Sequence, residues 1–307
     1  MSAQHVMNRK SDCGLNPHLK KYESDCLFHI GFTTVEDDFQ ALFGDIKFIC
    51  MGGTPSRMKR FSEFVAEQLK VEWKDYTRGE RYCIFKSGCV LCVNHGIGKP
   101  SASVVLHEII KLVHYAQCKD PVFIRMGTCG GINCEPGTVV ITDKALDEMF
   151  KPEYNLPVLG RIVTRPTQLS QEVADDIQSC QPSYNNFSII KANTLCASDF
   201  FEGQARLDGA LCQYSEEEKM EYIRRARDAG VRNIEMESAV IAGMCNAVNI
   251  KAAVVCVTLL DRLKSDQVLL SVDKVHELER RPMEVVIAYI RKKLQSNLTE
   301  MRQDHKI

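Results

Sequence analysis

The sequence has no surplus of either charge, no long apolar run and no spaced cysteine framework. Its 39 basic residues nearly cancel its 40 acidic ones, so no long-range field points toward DNA, RNA or an anionic membrane. No run of 18 apolar residues occurs, so a membrane-spanning helix is not expected. Met1 to Asp25 is polar and charged throughout, without the apolar segment of a secretory signal. It reads as a loose arm, and 296–307 as a polar tail. Internal repeats and low-complexity tracts are absent as well. Fourteen cysteines are present but scattered, and a chain this long needs no disulfide staples. Most of them read as small buried hydrophobes in a reducing, cytoplasmic compartment.

Several familiar motifs are also missing. His95-Gly96-Ile97-Gly98-Lys99 lacks the upstream glycine of a P-loop, where Val93 stands, and Pro100 replaces the required Ser or Thr. A dinucleotide fingerprint fails for want of its third glycine, so the segment reads as a tight turn before a helix. Cys89 and Cys92 lie three apart on a strand-like run, which points them to opposite faces and away from joint chelation. His107-Glu108 is followed by Lys111 where a zincin needs its second histidine. No metal site is expected.

What is present is a steady alternation of short β-rich and helix-periodic segments within a chain that is 45% hydrophobic and 26% charged. Residues 45–51, 89–93, 122–126, 138–142, 187–190 and 252–260 read as strands. Residues 58–69, a segment opening near Pro100-Ser101, 237–248 and 274–294 read as helices, the last kinked or divided by Pro282. Ser215 with Glu218 forms a capping box, and Gly230 suits that helix's end. The pattern predicts an α/β fold with a central, largely buried sheet, in one domain over 26–295.

Four segments place polar clusters at strand ends or glycine turns, where α/β sheets bind ligands. Gly52-Gly53-Thr54-Pro55-Ser56-Arg57 offers backbone N–H groups and a guanidinium to an anion. Arg125, ending the apolar run Val122-Phe123-Ile124, is costly to bury without an anionic partner; Thr128 could join that anion, and a protein carboxylate is the plainer alternative. In Asp199-Phe200-Phe201-Glu202-Gly203-Gln204-Ala205-Arg206, Gln204 matches the donor and acceptor edge of a pyrimidine. Arg206 can serve the remaining carbonyl, and Phe200 can stack on the ring. In Ile234-Glu235-Met236-Glu237-Ser238 a glutamate can accept from ribose hydroxyls or simply compensate a helix start.

These segments, in this order, resemble nucleoside phosphorylase family 1, and within it the animal-type uridine phosphorylases. The resemblance runs from about Leu15 to Leu294 and includes FGDIKFICMGGTPSRMKRF, FEGQARLDGALC and GVRNIEMESAV. It implies a nucleoside phosphorylase-like fold, a central mixed β-sheet flanked by helices. It implies that Gly53, Arg57, Arg125 and Thr128 bind phosphate, with Arg81 reaching the phosphate of a neighbouring subunit. Gln204 and Arg206 would read uracil, with Phe200, Leu259 and Leu260 lining the base and Arg262 supporting the loop. Met236 and Glu237 would contact ribose, and His29 would be lent to the partner's ribose 5′-hydroxyl. The implied reaction is phosphorolysis of uridine to uracil and ribose 1-phosphate in pyrimidine salvage by a homodimer. Phosphate is a co-substrate and no cofactor is implied. Some bacterial relatives carry a potassium-binding glutamate after the shared arginine; Tyr82 stands there, so no cation is expected.

Two departures are visible. Cys129 replaces a Ser or Thr, a near-isosteric change. Asp261 replaces an Asn and keeps purine cleavage open, to be distinguished by inosine turnover exceeding uridine turnover. A non-catalytic uridine binder is the other alternative, but the anion ligands and the base-reading pair are all present. Hydrolytic cleavage would leave the three arginines without a purpose. Removal of Arg125 is expected to abolish phosphate affinity and spare uridine binding.

Overall fold

The computed structural model describes residues 14–180 and 186–304. Two short strands, β1 (Cys26–Leu27) and β2 (Phe32–Thr33), and helix α1 (Phe39–Phe43) precede β3 (Phe48–Gly52) and α2 (Pro55–Leu69). β4 (Trp73–Asp75), β5 (Ile84–Ser87) and β6 (Val90–Asn94) follow, then α3 (Gly98–Tyr115). Next come β7 (Val122–Gly131), β8 (Val139–Leu146), β9 (Glu153–Val158), β10 (Arg161–Pro166) and α4 (Gln171–Ser179). The chain closes with β11 (Ile189–Cys196), α5 (Glu216–Asp228), β12 (Val231–Glu235), α6 (Ser238–Ala247), β13 (Lys251–Asp261) and α7 (Val272–Asp304).

Nine strands form one mixed sheet in the order β12-β11-β8-β13-β7-β3-β6-β5-β4. The expected mixed sheet flanked by helices is therefore present. β3 and β6 are buried along their whole length, as apolar runs covered on both faces must be. One face packs on α3 and α6 through Val105, Leu106, Ile109, Val240 and Ile241. The other packs on α2, α4 and α7 through Met58, Phe61, Val173, Val286 and Ile290.

β7 is the pivot. Its first residues pair with β3 only as far as Met51 opposite Arg125. Its last residues turn away and pair with β12, Gly130 opposite Ile234. Because β7, β13, β8, β11 and β12 pair in succession, these five strands close a ring. The sheet thus splits beside Arg125.

Several elements differ from expectation. The β9–β10 hairpin and α4 are not among the expected elements: β10 is exposed along nearly its whole length, whereas α4 is a short amphipathic helix that buries Val173, Ala174 and Ile177 on one face. Pro282 does not divide α7. Buried Met283, Val286 and Tyr289 hold the helix to the sheet across it. α7 also continues through the proposed polar tail to Asp304; 305–307 lie outside the described residues. Of the proposed arm, 1–13 lie outside them as well, while Asp25 is docked on α3 by Lys111 at 2.7 Å and Tyr115 at 2.6 Å. Ser215 and Glu218 form the expected capping box of α5. No helix among the described residues is long and apolar enough to cross a membrane.

Candidate active site

The turn after β3 brings the backbone close to its neighbours. A Cβ on Gly53 would lie 3.5 Å from the Gly96 carbonyl and 3.7 Å from Arg57 Nη1. Thr54 caps α2 by accepting from the Arg57 N–H at 3.3 Å, and Pro55 starts the helix with its missing N–H where none is needed. Arg57 is thereby fixed in the first turn. Its Nη2 donates to Glu279 of α7 at 2.5 Å, and Arg60 donates to that glutamate's other oxygen at 2.6 Å.

Arg125 folds back over Gly127, where a Cβ would meet Nη1 at 2.5 Å; only glycine leaves that space. The guanidinium is buried. It donates to Glu237 Oε2, lies 3.2 Å from Glu235 Oε2, and contacts Cys256 Sγ at 2.7 Å. Burial would raise the Glu237 carboxyl, but Arg125, His95 and the Gly98 N–H hold it below its ordinary value. Burial works against the Arg125 charge too, and Cys256 and both glutamates more than restore it. Thr128 follows on β7, half-buried.

The ribose candidates join this cluster directly. Glu237 Oε1 accepts from the Gly98 N–H at 2.6 Å, and Met236 packs over Gly98, its methyl 3.6 Å from where a Cβ would stand. Glu235 caps the start of α6, accepting from the Glu237 N–H at 2.9 Å and the Ser238 N–H at 3.0 Å. The helix-start reading of the Glu-Met-Glu segment thus falls to Glu235, while Glu237 is engaged by Gly98 and Arg125.

The base-reading candidates form a second cluster. Arg262, fully buried, donates to the carbonyls of Gln204 at 2.8 Å and Ala205 at 3.3 Å. Ala205 has a positive φ of 51°, a conformation disfavoured for a residue with a Cβ. Asp266 accepts from Arg262 Nε at 3.0 Å, Lys219 at 2.8 Å and the Leu207 N–H at 3.0 Å. Its carbonyl accepts from Arg206. Arg206 also forks onto Asp208 with two bonds of 2.9 Å and lies over the Phe200 ring at 4.5 Å. Its Nη1 and the Gln204 side-chain amide make no hydrogen bond among the described residues. Leu260 packs at Gly130, joining this cluster to β7, and Leu259 is half-buried.

Two predicted residues stand apart. Arg81 is exposed, and only its backbone carbonyl is engaged, by Asn94 at 3.2 Å. His29 Nδ1 donates to Glu108 at 2.7 Å, and the side chain is partly exposed. No described contact brings either residue to Arg57 or Arg125 of the same chain.

Sequence reasoning missed His95, Glu108, Lys219, Asp208, Asp266 and Glu279. His95 sat in plain view in the turn set aside as a plain connection. Six buried side-chain nitrogens have no partner among the described residues, and four belong to Arg57, His95, Arg125 and Arg262. Buried polar atoms are normally satisfied, so their concentration here marks a place built for a ligand. The charges within the anion cradle balance, Arg57, Arg60 and Arg125 against Glu235, Glu237 and Glu279.

Comparison with known proteins gives the family. The chain belongs to the phosphorylase superfamily, whose family model matches residues 47–291. It is 49% identical over 285 residues to uridine phosphorylase 2 of Mus musculus, which covers 91% of this chain and 89% of that one. The crystal structure of uridine phosphorylase from Schistosoma mansoni in complex with uracil matches with a TM-score of 0.88 and 36% identity, over 91% of this chain and 98% of that chain. Inactive uridine phosphorylase B of Schistosoma mansoni is 35% identical over 283 residues, 91% of this chain and 95% of the relative.

Proposed function

We propose that this protein is a uridine phosphorylase, cleaving uridine with phosphate to uracil and ribose 1-phosphate in cytoplasmic pyrimidine salvage. The observation that carries this reading is the pairing of two clusters across the split sheet. One offers buried guanidinium groups and a carboxylate, and the other a free amide and the Arg206 guanidinium, on a loop whose carbonyls Arg262 holds. Arg57 and Arg125 hold phosphate with Gly53 and Thr128, Met236 and Glu237 hold ribose, and Gln204 and Arg206 hold uracil. Phosphate attacks C1′ from the face opposite the departing base, so no side-chain nucleophile is needed and positioning supplies the first contribution. The second is stabilisation of charge growing on uracil. Phosphate is the co-substrate, and no cofactor or metal enters.

Arg206 is suited to the departing base because Asp208 and Asp266 fix Nε and Nη2 while Nη1 remains for uracil. A hydrogen bond to a charged group contributes about 1.5–3 kcal/mol. Arg206→Ala should therefore lower kcat by about tenfold to a hundredfold, measured on uridine at saturating phosphate. Near-normal turnover would remove Arg206 from this role.

Two alternatives are less well supported. Asp261 accepts from the backbone N–H groups of Asn133 and Leu263, both at 3.1 Å. It is thus occupied as a turn-binding acceptor, which does not suit protonation of a purine. An inert uridine binder would be expected to have lost an anion ligand or the base-reading pair, and this chain retains all of them.

The balanced cradle gives the homodimer a physical purpose. A phosphate dianion entering three positive and three negative side chains gains little, and the exposed Arg81 of a partner would supply the missing charge. Arg81→Ala should raise the phosphate KM by at least about tenfold and leave the uridine KM near normal. Mixing it with Arg206→Ala should restore about a quarter of native activity, since mixed dimers hold one intact site of two. No recovery on mixing would confine Arg81 to its own chain.

The first test of the whole reading is incubation with uridine, with and without phosphate, followed by separation of products. Uracil with ribose 1-phosphate only in the presence of phosphate is the expected result. Uracil without phosphate would make the protein a hydrolase, and uridine binding without any uracil would make it inert.

A further inference from the structure

Five of the six unpartnered buried nitrogens are donors; His95 Nε2 is the exception. His95 follows β6 and is fully buried, its N–H donating to the Gly52 carbonyl at 2.8 Å. Its Nδ1 lies 2.9 Å from the Gly96 carbonyl. A carbonyl can only accept, so Nδ1 carries the ring's proton and Nε2 is a bare lone pair. Burial pushes the imidazolium down to about 4; Arg125 and Arg57 push the same way, against Glu237 and the Gly96 carbonyl. The ring is neutral at physiological pH, and this tautomer is the one that persists.

The cradle therefore presents an unusual set of buried groups. Arg57 Nε and Arg125 Nε are donors without partners, and His95 Nε2 is an acceptor without one. A fully deprotonated tetrahedral anion has only lone pairs to offer and would set one against Nε2. Monohydrogen phosphate carries three bare oxygens and one P–OH, which matches donors and acceptor together.

We propose that His95 Nε2 accepts the hydrogen of bound monohydrogen phosphate, so that the site selects that species and rejects dianions of the same shape that carry no hydrogen. The inference rests on reading this cradle as a phosphate site. It also orients the co-substrate: the P–OH turns toward His95, and the unprotonated oxygens turn to the arginines and toward C1′. His95 becomes a specificity-determining residue for the anion, beside the arginines that supply attraction.

The test uses the whole protein and three probes, inorganic phosphate, sulfate and monofluorophosphate. The last two match the charge and shape of monohydrogen phosphate but have no hydrogen to donate. Affinities are measured by titration calorimetry and uridine cleavage is assayed separately. The wild-type protein should bind phosphate about tenfold to a hundredfold more tightly than either analogue, the range for one hydrogen bond to a charged group. His95→Gln, whose amide can donate, should bring the phosphate-to-sulfate ratio close to one, chiefly by strengthening sulfate. Equal affinities in the wild type, or an unchanged ratio in His95→Gln, would overturn the inference. Should that variant fail to fold, phosphate against monofluorophosphate on the wild-type protein decides alone, and equal binding overturns it. A protein that binds no anion and cleaves no uridine would instead overturn the phosphorylase reading.

Discussion

Arg125→Ala is expected to lower folding stability by about 3–5 kcal/mol, the range for removing one partner of a buried ion pair, and to abolish measurable phosphorolysis. The cause is the pair of carboxylates that Arg125 separates. Glu235 and Glu237 are both buried beside it, and without the guanidinium they face one another uncompensated. Glu237 is also the ribose candidate. Uridine binding in the absence of phosphate should therefore weaken together with phosphate binding, whereas the sequence suggested that it would survive. Urea denaturation gives the stability change, and uridine titration without phosphate gives the coupling. Arg125→Lys separates the two roles: a single ammonium restores charge but not the fork that meets Glu235, Glu237 and Cys256 together. It should recover much of the stability and little of the turnover. Unchanged stability in Arg125→Ala would mean that the glutamates are solvated by other means.

The second large effect is expected at Asp266, which touches no proposed substrate. Its carboxylate joins Arg262, Lys219 and the Leu207 backbone. Asp266→Ala leaves two buried cations without their anion, again a loss of about 3–5 kcal/mol. It also frees the carbonyl-holding Arg262, so the loop through Gln204 and Arg206 loses its support. The uridine kcat/KM should fall at least about a hundredfold while phosphate affinity changes little. Burial favours the neutral acid, but the Leu207 N–H, Lys219 and Arg262 together hold the Asp266 carboxyl below its usual range. Its stabilising contribution is thus complete above the ordinary aspartate value and is lost as pH falls through the lowered one. Retention of normal uridine kcat/KM in this variant would show that the loop keeps its shape without the hub.

Much of this was legible in the sequence because local chemistry announced it. The glycine turn before Arg57, the arginine ending an apolar strand and the Gln204–Arg206 loop each break a local pattern. Their assembly into two facing clusters follows from ordinary sheet rules. The residues that hold them were not legible for a physical reason. Glu279 meets Arg57 across 222 positions of chain, and an acidic residue in a polar helix looks like any solvated one. Asp266 and Lys219 likewise resemble surface charges until the fold buries them. His95 could have been suspected, since a histidine at a strand end before two glycines is well placed to be buried. The β9–β10 hairpin left little trace because its turn, Leu159-Gly160, lacks the usual Asn or Asp.

One consequence of the balanced cradle concerns how phosphate arrives. Each guanidinium is already neutralised by a carboxylate of its own chain, and the whole protein carries a formal charge of only −1. Within one chain no field extends far into solvent to draw a dianion inward. Capture then proceeds by unguided diffusion followed by exchange, in which phosphate oxygens take up donors at short range. If the site binds phosphate as proposed, any dependence of the association rate on ionic strength should come from the partner's Arg81 and should largely disappear in Arg81→Ala.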